Sequence, residues 1–296
     1  MQQHDFDHEP VRRRRQCFDD DPPPARRAQR LAPDPEDHPA GDRWSTWPDA
    51  QHGPPPRPDW VVTEAAAVDT EYGVLKTGKE AEVHLLERGV PDTDRRCLLA
   101  AKRYRGADHR LFHRDAGYLE GRRVRRSRET RAMATRTSFG RSLLAEQWAA
   151  AEFTALGRLW TAEVAVPYPV QRDGTEVLLE FVGSADGVAA PQLAQYRAAP
   201  SELRDLWGQL VAMLRGIAAL GLTHGDQSAY NLLVHEGRLV MIDLPQVVEV
   251  VSNPQGPRFL ERDVCNVAGW FASHGLPEAQ DPAGLLDELR VEVGLR

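Results

Sequence analysis

The stretch His224-Gly225-Asp226-Gln227-Ser228-Ala229-Tyr230-Asn231, followed after an apolar run by Ile242-Asp243, has residue types and spacing suited to phosphoryl transfer. That reaction needs a carboxylate to orient the attacking hydroxyl and oxygen ligands for magnesium. Asp226 and Asn231 place a carboxylate and an amide oxygen on one loop, and Asp243, closing the next strand, supplies a second metal ligand. Each fragment alone is an ordinary loop sequence. Their order, after an amphipathic segment and around an apolar strand, makes chance a poor explanation.

A second signal is the rarity of lysine. Of 37 basic residues only Lys76, Lys79 and Lys102 are lysine, and an ammonium is a compact charge that a guanidinium does not replace. Lys102 ends the apolar run Cys97-Leu98-Leu99-Ala100-Ala101, where by itself it would read as a strand-end side chain snorkelling to solvent. Gly73-x-x-x-x-Gly78-Lys79 imitates a Walker A loop, but Glu80 stands where magnesium needs a Ser or Thr hydroxyl, so that reading is rejected. A turn between two strands would still offer backbone N–H groups, with Thr77 and Lys79, to phosphates.

Elements able to position these groups follow from the pattern. Val74-Leu75 and Val83 to Leu86 read as strands around the turn 76–80, and Cys97 to Lys102 as a third. Ser142 is a candidate cap for a helix carrying Leu144, Trp148, Ala151, Leu156 and Leu159. Val177 to Phe181 is a strand. Ser201 after Pro200 opens an amphipathic helix with Leu203, Leu206, Leu210, Leu214 and Ile217 on one face, stopped by Gly221. Leu239 to Ile242 is the strand that runs into Asp243. Strands, helix, strand, then helices predict an α+β chain with a small sheet-rich lobe followed by a helical one.

Composition narrows the class. With 296 residues, 41% hydrophobic and 27% charged, the chain can bury a core, while a mean hydropathy of −0.51 points to a polar segment. Residues 1–59 hold 12 of the 22 prolines and hardly any aliphatic side chains, so they read as a disordered Pro/Arg/Asp-rich tail, with the domain at 60–296 divided near 181 and 182. A net charge of −7 argues against a globally basic nucleic-acid binder. Cys17, Cys97 and Cys265 lie far apart, which disfavours a disulfide scaffold or cysteine-held zinc and fits a reducing cytoplasm. No apolar run reaches the roughly 18 residues of a membrane span. The arginine-rich stretch 103–141 would suit RNA or an acidic partner, against an even expectation of a solvated loop. His109 and His113 have helical metal spacing but no third ligand in sight.

The segment 224–243 resembles H-R-D-x-x-x-x-N followed by D-F-G of protein kinases, with Gly225 for Arg and Leu244-Pro245 for Phe-Gly, and Lys102 resembles the lysine of V-A-I-K. Thr77-Gly78-Lys79-Glu80-Ala81-Glu82-Val83 is similar to the phosphate loop of the RIO family of atypical serine protein kinases, nearest its first subfamily. The resemblance continues through Ala101 to Tyr104, Phe112 to Asp115 with Tyr118, Trp148 to Phe153, Val166 to Pro169, and Leu179 to Gly183. Ile242 to Gln246, Phe259 to Asp263 and Asn266 complete it, over about residues 70–272.

That resemblance implies a trimmed two-lobed kinase fold that uses ATP with Mg2+, or Mn2+ as an alternative, to phosphorylate a protein serine or the enzyme itself. It implies Asp226 as the catalytic aspartate, Asn231 and Asp243 as metal ligands, and Lys102 with Glu152 as the phosphate-positioning pair, Glu146 being the alternative partner. Thr77, Gly78, Lys79 and Glu80 would form the nucleotide loop, with Glu180 and Val182 bordering the adenine. Two alternatives accompany it: a RIO-type ATPase with an aspartyl-phosphate at Asp243 acting as a conformational switch, and a small-molecule kinase, suggested by the H-G-D spelling of aminoglycoside and choline kinases. A ribosomal particle or RNA at 103–141 is the implied further partner. Departures are Lys76 where serine is usual, Ala150 where an acidic residue is usual, and Gly225 for alanine.

Overall fold

The computed structural model describes residues 41–105 and 138–295. It begins with β1 (Arg43–Trp44) and β2 (Gln51–His52), separated by a 3-10 turn at Trp47–Asp49. Strands β3 (Val68–Thr77), β4 (Ala81–Gly89) and β5 (Arg96–Tyr104) follow as an antiparallel meander. Helix α1 (Ser138–Thr161) leads to the hairpin of β6 (Pro169–Asp173) and β7 (Glu176–Glu180). These seven strands form one sheet in the order β1-β3-β4-β5-β7-β6-β2. The second lobe holds α2 (Pro200–Ala219), β8 (Leu222–Thr223), the hairpin β9 (Leu232–His235) and β10 (Arg238–Met241), β11 (Val248–Glu249), α3 (Gly256–Ser273) and α4 (Ala283–Glu292). The α+β, two-lobed arrangement agrees with the sequence pattern.

Connectivity forces the sheet to curl. β1 and β2 lie on opposite edges, and a flat sheet of seven strands would separate those edges by about 29 Å at ~4.8 Å per strand. The seven residue steps from Trp44 to Gln51 cover at most about 25 Å fully extended, and a helical turn shortens them further. Residues 43–52 therefore form a strap across a strongly curved sheet. Alternation along each strand then separates two faces. Leu86, Cys97, Leu99, Ala101, Val170 and Leu178 face a core closed by Val61, Val62 and Ala67. Ala81, Tyr104, Val177 and Leu179 face α1 and join the main core, which continues through α2 and α3.

On the strap side lies a buried polar cluster. Arg88 is fully buried, giving Nε and Nη2 to Asp69 at 2.7 and 3.0 Å and Nη1 to Gln171 at 2.7 Å; Gln171 in turn donates to Thr46 Oγ1 at 2.7 Å. Arg88 on β4 thus reaches β6, three strands away, which only the curl allows. A buried carboxylate stripped of its cation is far more costly than the pair is stabilising. Arg88→Ala is expected to cost about 3 kcal/mol in denaturant unfolding, because Asp69 then keeps only the longer contact to Arg43 at 3.4 Å, with Asp69→Asn added to Arg88→Ala recovering part of the loss.

The strap corrects the sequence reading of a tail extending to residue 59: residues 41–59 belong to the fold. Counting aliphatic residues missed them because they are held otherwise. Asp42 N–H and Ser45 N–H bond the carbonyls of Asp69 and Ala67, Gly53 N–H bonds Val170 O, and Tyr168 O–H donates to Pro54 O. Gly53 is obligatory there, since an added Cβ would stand 1.9 Å from Pro169 O. Residues 1–40 lie outside the described residues.

Elsewhere pattern and structure agree closely. α2 starts at Pro200, with Glu202 accepting the Ala199 N–H, and buries Leu203, Leu206, Leu210, Leu214 and Ile217. Gly221, at φ +72°, follows its end. α1 starts four residues before the expected Ser142 cap. Among the described residues no helix is long and apolar enough to cross a membrane.

Candidate active site

The cleft between the lobes is built on Lys102. Strand alternation turns it, with Tyr104, toward α1, where it is buried. Its Nζ donates to Glu152 Oε1 at 2.7 Å and Asp243 Oδ1 at 2.8 Å. Glu152 lies on the α1 stripe of Trp148, Glu152 and Leu156 and is almost wholly buried. It also accepts Leu244 N–H at 3.1 Å and the Tyr104 hydroxyl. Glu146, the alternative partner, is exposed. Burial works against the Lys102 ammonium, yet Asp243 and Glu152 outweigh it and hold its pKa above the ordinary lysine value. Burial would likewise raise the Asp243 carboxyl; Lys102 overcomes that and holds it down at about 2, with Lys76 and His224 adding to the effect. Burial and the neighbouring Glu152 push the Tyr104 phenol well above its usual value, so it stays a donor.

The loop 223–231 is held from beneath by Asp263 of α3, which is fully buried. Asp263 accepts Thr223 O–H at 2.7 Å, Gly225 N–H at 2.6 Å and Gln227 N–H at 2.9 Å. Gly225 has φ +84°, and a Cβ there would come 2.2 Å from Gln246 O, so glycine is required. Asn231 Nδ2 donates to Asp226 O at 2.9 Å. Asn231 O accepts Ile242 N–H at 3.0 Å, and His224 Nε2 lies 3.1 Å from Ile242 O. These bonds lock the Asp226 loop to the strand end that carries Asp243. Asp243 itself sits at φ +66°, a strained setting for a non-glycine residue that the surrounding bonds sustain. Arg262 of α3 bonds the Gly225 carbonyl and stands 3.9 Å from Asp226 Oδ1.

Above the cleft, Thr77, Gly78, Lys79 and Glu80 form the β3–β4 turn, closed by Gly78 N–H to Ala81 O at 2.9 Å. Thr77 and Lys79 are exposed. At the crossing between lobes, Glu180 N–H bonds Tyr168 O at 2.9 Å, its carboxylate accepts Tyr168 N–H at 3.0 Å, and Val182 O accepts Ala190 N–H at 3.0 Å.

A family model described as RIO domain matches residues 109–283, more than half of the chain. The RIO-type serine/threonine-protein kinase Rio1 of Haloferax volcanii is 33% identical over 216 residues, covering 73% of this chain and 68% of its own length. This chain belongs to the RIO family. The serine/threonine-protein kinases RIO1 of Chaetomium thermophilum and Saccharomyces cerevisiae are 31% and 29% identical over 219 and 238 residues, covering 71% and 73% of this chain. Against those two fungal proteins the alignment spans only 41% and 46% of their length.

Of the residues singled out in the sequence, this RIO chain brings Lys102, Glu152 and Asp243 into direct contact and ties Asp226 and Asn231 to the same strand end. The donor set suits a hard divalent cation. Lys102 occupies one Asp243 oxygen while that side chain remains 42% exposed, and Asn231 uses its amide nitrogen on Asp226 O, leaving its oxygen on the opposite side of the group. His109, His113, Phe112 to Asp115, Tyr118 and nearly all of the arginine-rich stretch lie outside the described residues. Among the described residues no group of three His, Cys, Asp or Glu forms another metal site.

Three contributors were not assigned roles from sequence. Tyr104 was legible as the cleft-facing neighbour two places beyond Lys102. Asp263 was legible as a carboxylate set inside the apolar helix face Leu260, Val264 and Val267. Arg262 gives no such signal, because an arginine beside that face reads as solvated.

Proposed function

We propose that this chain is an ATP-dependent protein serine/threonine kinase of RIO type that also phosphorylates its own serines. The carrying observation is Lys102 held between Glu152 and Asp243, over a loop that presents Asp226 and Asn231. In this reading Lys102 pairs the α/β-phosphates, and Glu152, with Tyr104 and Leu244 N–H behind it, keeps that ammonium from swinging out. Thr77, Gly78, Lys79 and Glu80 cover the phosphates, and Glu180 and Val182 border the adenine. Asn231 and Asp243 would hold Mg2+, which would supply positive charge to offset that of the phosphates. Asp226 aligns the acceptor hydroxyl and receives its proton as the new phosphorus–oxygen bond forms and the bond to ADP breaks. Most of the rate gain is then positioning and charge complementarity. The names of the relatives support a serine/threonine acceptor, and the donor geometry supports the metal.

The test is incubation of the purified chain with γ-labelled ATP and Mg2+. Acid-stable phosphoserine together with ADP release is expected, both lost on adding EDTA. A label that is hydroxylamine-labile and absent from serine would instead favour a phosphorylated Asp243, and no label with no ADP would overturn the reading.

A further inference from the structure

All three lysines of the chain sit on the roof strands of the cleft or the turn between them, and of these only Lys102 forms an ion pair among the described residues. The register fixes where Lys76 lies: it is directly opposite Val83 on β4, and Val83 is directly opposite Lys102 on β5. Directly opposed residues of antiparallel strands project from the same face. Lys102 enters the cleft, so Val83 and Lys76 stand on the cleft side too, one strand and two strands away. Lys76 is exposed, and among the described residues no ion pair engages it. Arg43, Arg88 and Arg103 of this sheet, and Arg105 just past β5, each pair with Asp or Glu.

Charge gives the position a purpose. Lys102 carries two carboxylates, and Asp226, with Arg262 at 3.9 Å, adds a third on the facing loop, so three carboxylates face two cations where a polyanion has to sit. An uncommitted ammonium on the same face, across one valine from Lys102, supplies the missing counter-charge.

We infer that Lys76 is a second phosphate-binding ammonium, directed at the terminal phosphate of a nucleoside triphosphate and opposite Lys102 across Val83. This rests on the nucleotide reading above and adds discrimination between triphosphate and diphosphate, which Lys102, aimed at the inner phosphates, does not provide.

Calorimetric titration of the full chain with ATP, ADP (both with Mg2+) and adenosine tests it, using wild type, Lys76→Met and Lys76→Arg. Lys76→Met should weaken ATP about tenfold, equivalent to about 1.4 kcal/mol, ADP by threefold or less, and adenosine not at all. Lys76→Arg should retain most of the ATP affinity, and thermal midpoints should match wild type because the side chain is exposed. Equal weakening of all three ligands, or unchanged ATP binding in Lys76→Met, overturns the assignment while leaving the kinase reading intact. Failure of the wild type to bind ATP at all would overturn both.

Discussion

Asp226→Asn should lower phosphoryl transfer by about 10^2 to 10^4 while leaving ATP affinity within about twofold. The separation is expected because the loop does not depend on that carboxylate for its shape. Its N–H groups are bonded to Asp263, its glycine is seated against Gln246, and Asn231 bonds the Asp226 main-chain carbonyl. The Asp226 side chain is 40% exposed and faces Arg262 at 3.9 Å, so asparagine fits without burying a new polar group. Turnover of labelled ATP, read with the unfolding midpoint, checks the expectation. Turnover within about threefold of wild type would remove Asp226 from the chemistry.

Lys102→Met should be worse in two independent ways. Activity should fall by at least about 10^2 as the inner phosphates lose their cation. Stability should fall by about 3 kcal/mol, the lower end for breaking a buried ion pair, because Tyr104 O–H and Leu244 N–H still bond the Glu152 left behind. Adding Glu152→Gln should restore much of the stability and none of the activity, which separates the two losses. The pH dependence follows from the shifts. The Asp243 carboxyl, held down at about 2, contributes stability above the ordinary carboxylate range, and that contribution is lost as pH falls toward 2. The Lys102 ammonium is raised, so its contribution is complete below the ordinary lysine value and lost only at higher pH. The stability gap between wild type and Lys102→Met should therefore stay flat from about pH 5 to 9 and narrow on the acid side. A gap that collapses near neutrality would show that another group controls the cluster.

Most of the site was legible in the sequence because its residues announce themselves locally. Lys102 stands out against an arginine background, and Glu152 shares a helical stripe with Trp148 and Leu156 while Glu146 does not. Asp226, Asn231 and Asp243 are spaced along one loop and one strand end. What escaped was non-local. Arg88 shares the Leu86 face of β4, but an arginine near a strand end reads as solvated, and only Asp69 and Gln171, distant in sequence, explain its burial. β6 was hidden by the prolines of Val166-Pro167-Tyr168-Pro169, although proline at a strand's first position is tolerated. β1 and β2, two residues each, are too short for any periodicity to register.

Those two short strands carry a consequence for self-association. They occupy both margins of the curled sheet, and the Pro54-Pro55-Pro56 run follows directly after β2. Stubby, proline-flanked margins give a neighbouring molecule little main chain on which to add a strand. A chain begun at residue 60 would instead present β3 and β6 bare on either side and strip Thr46 from the Gln171 amide, turning a closed surface into an adhesive one.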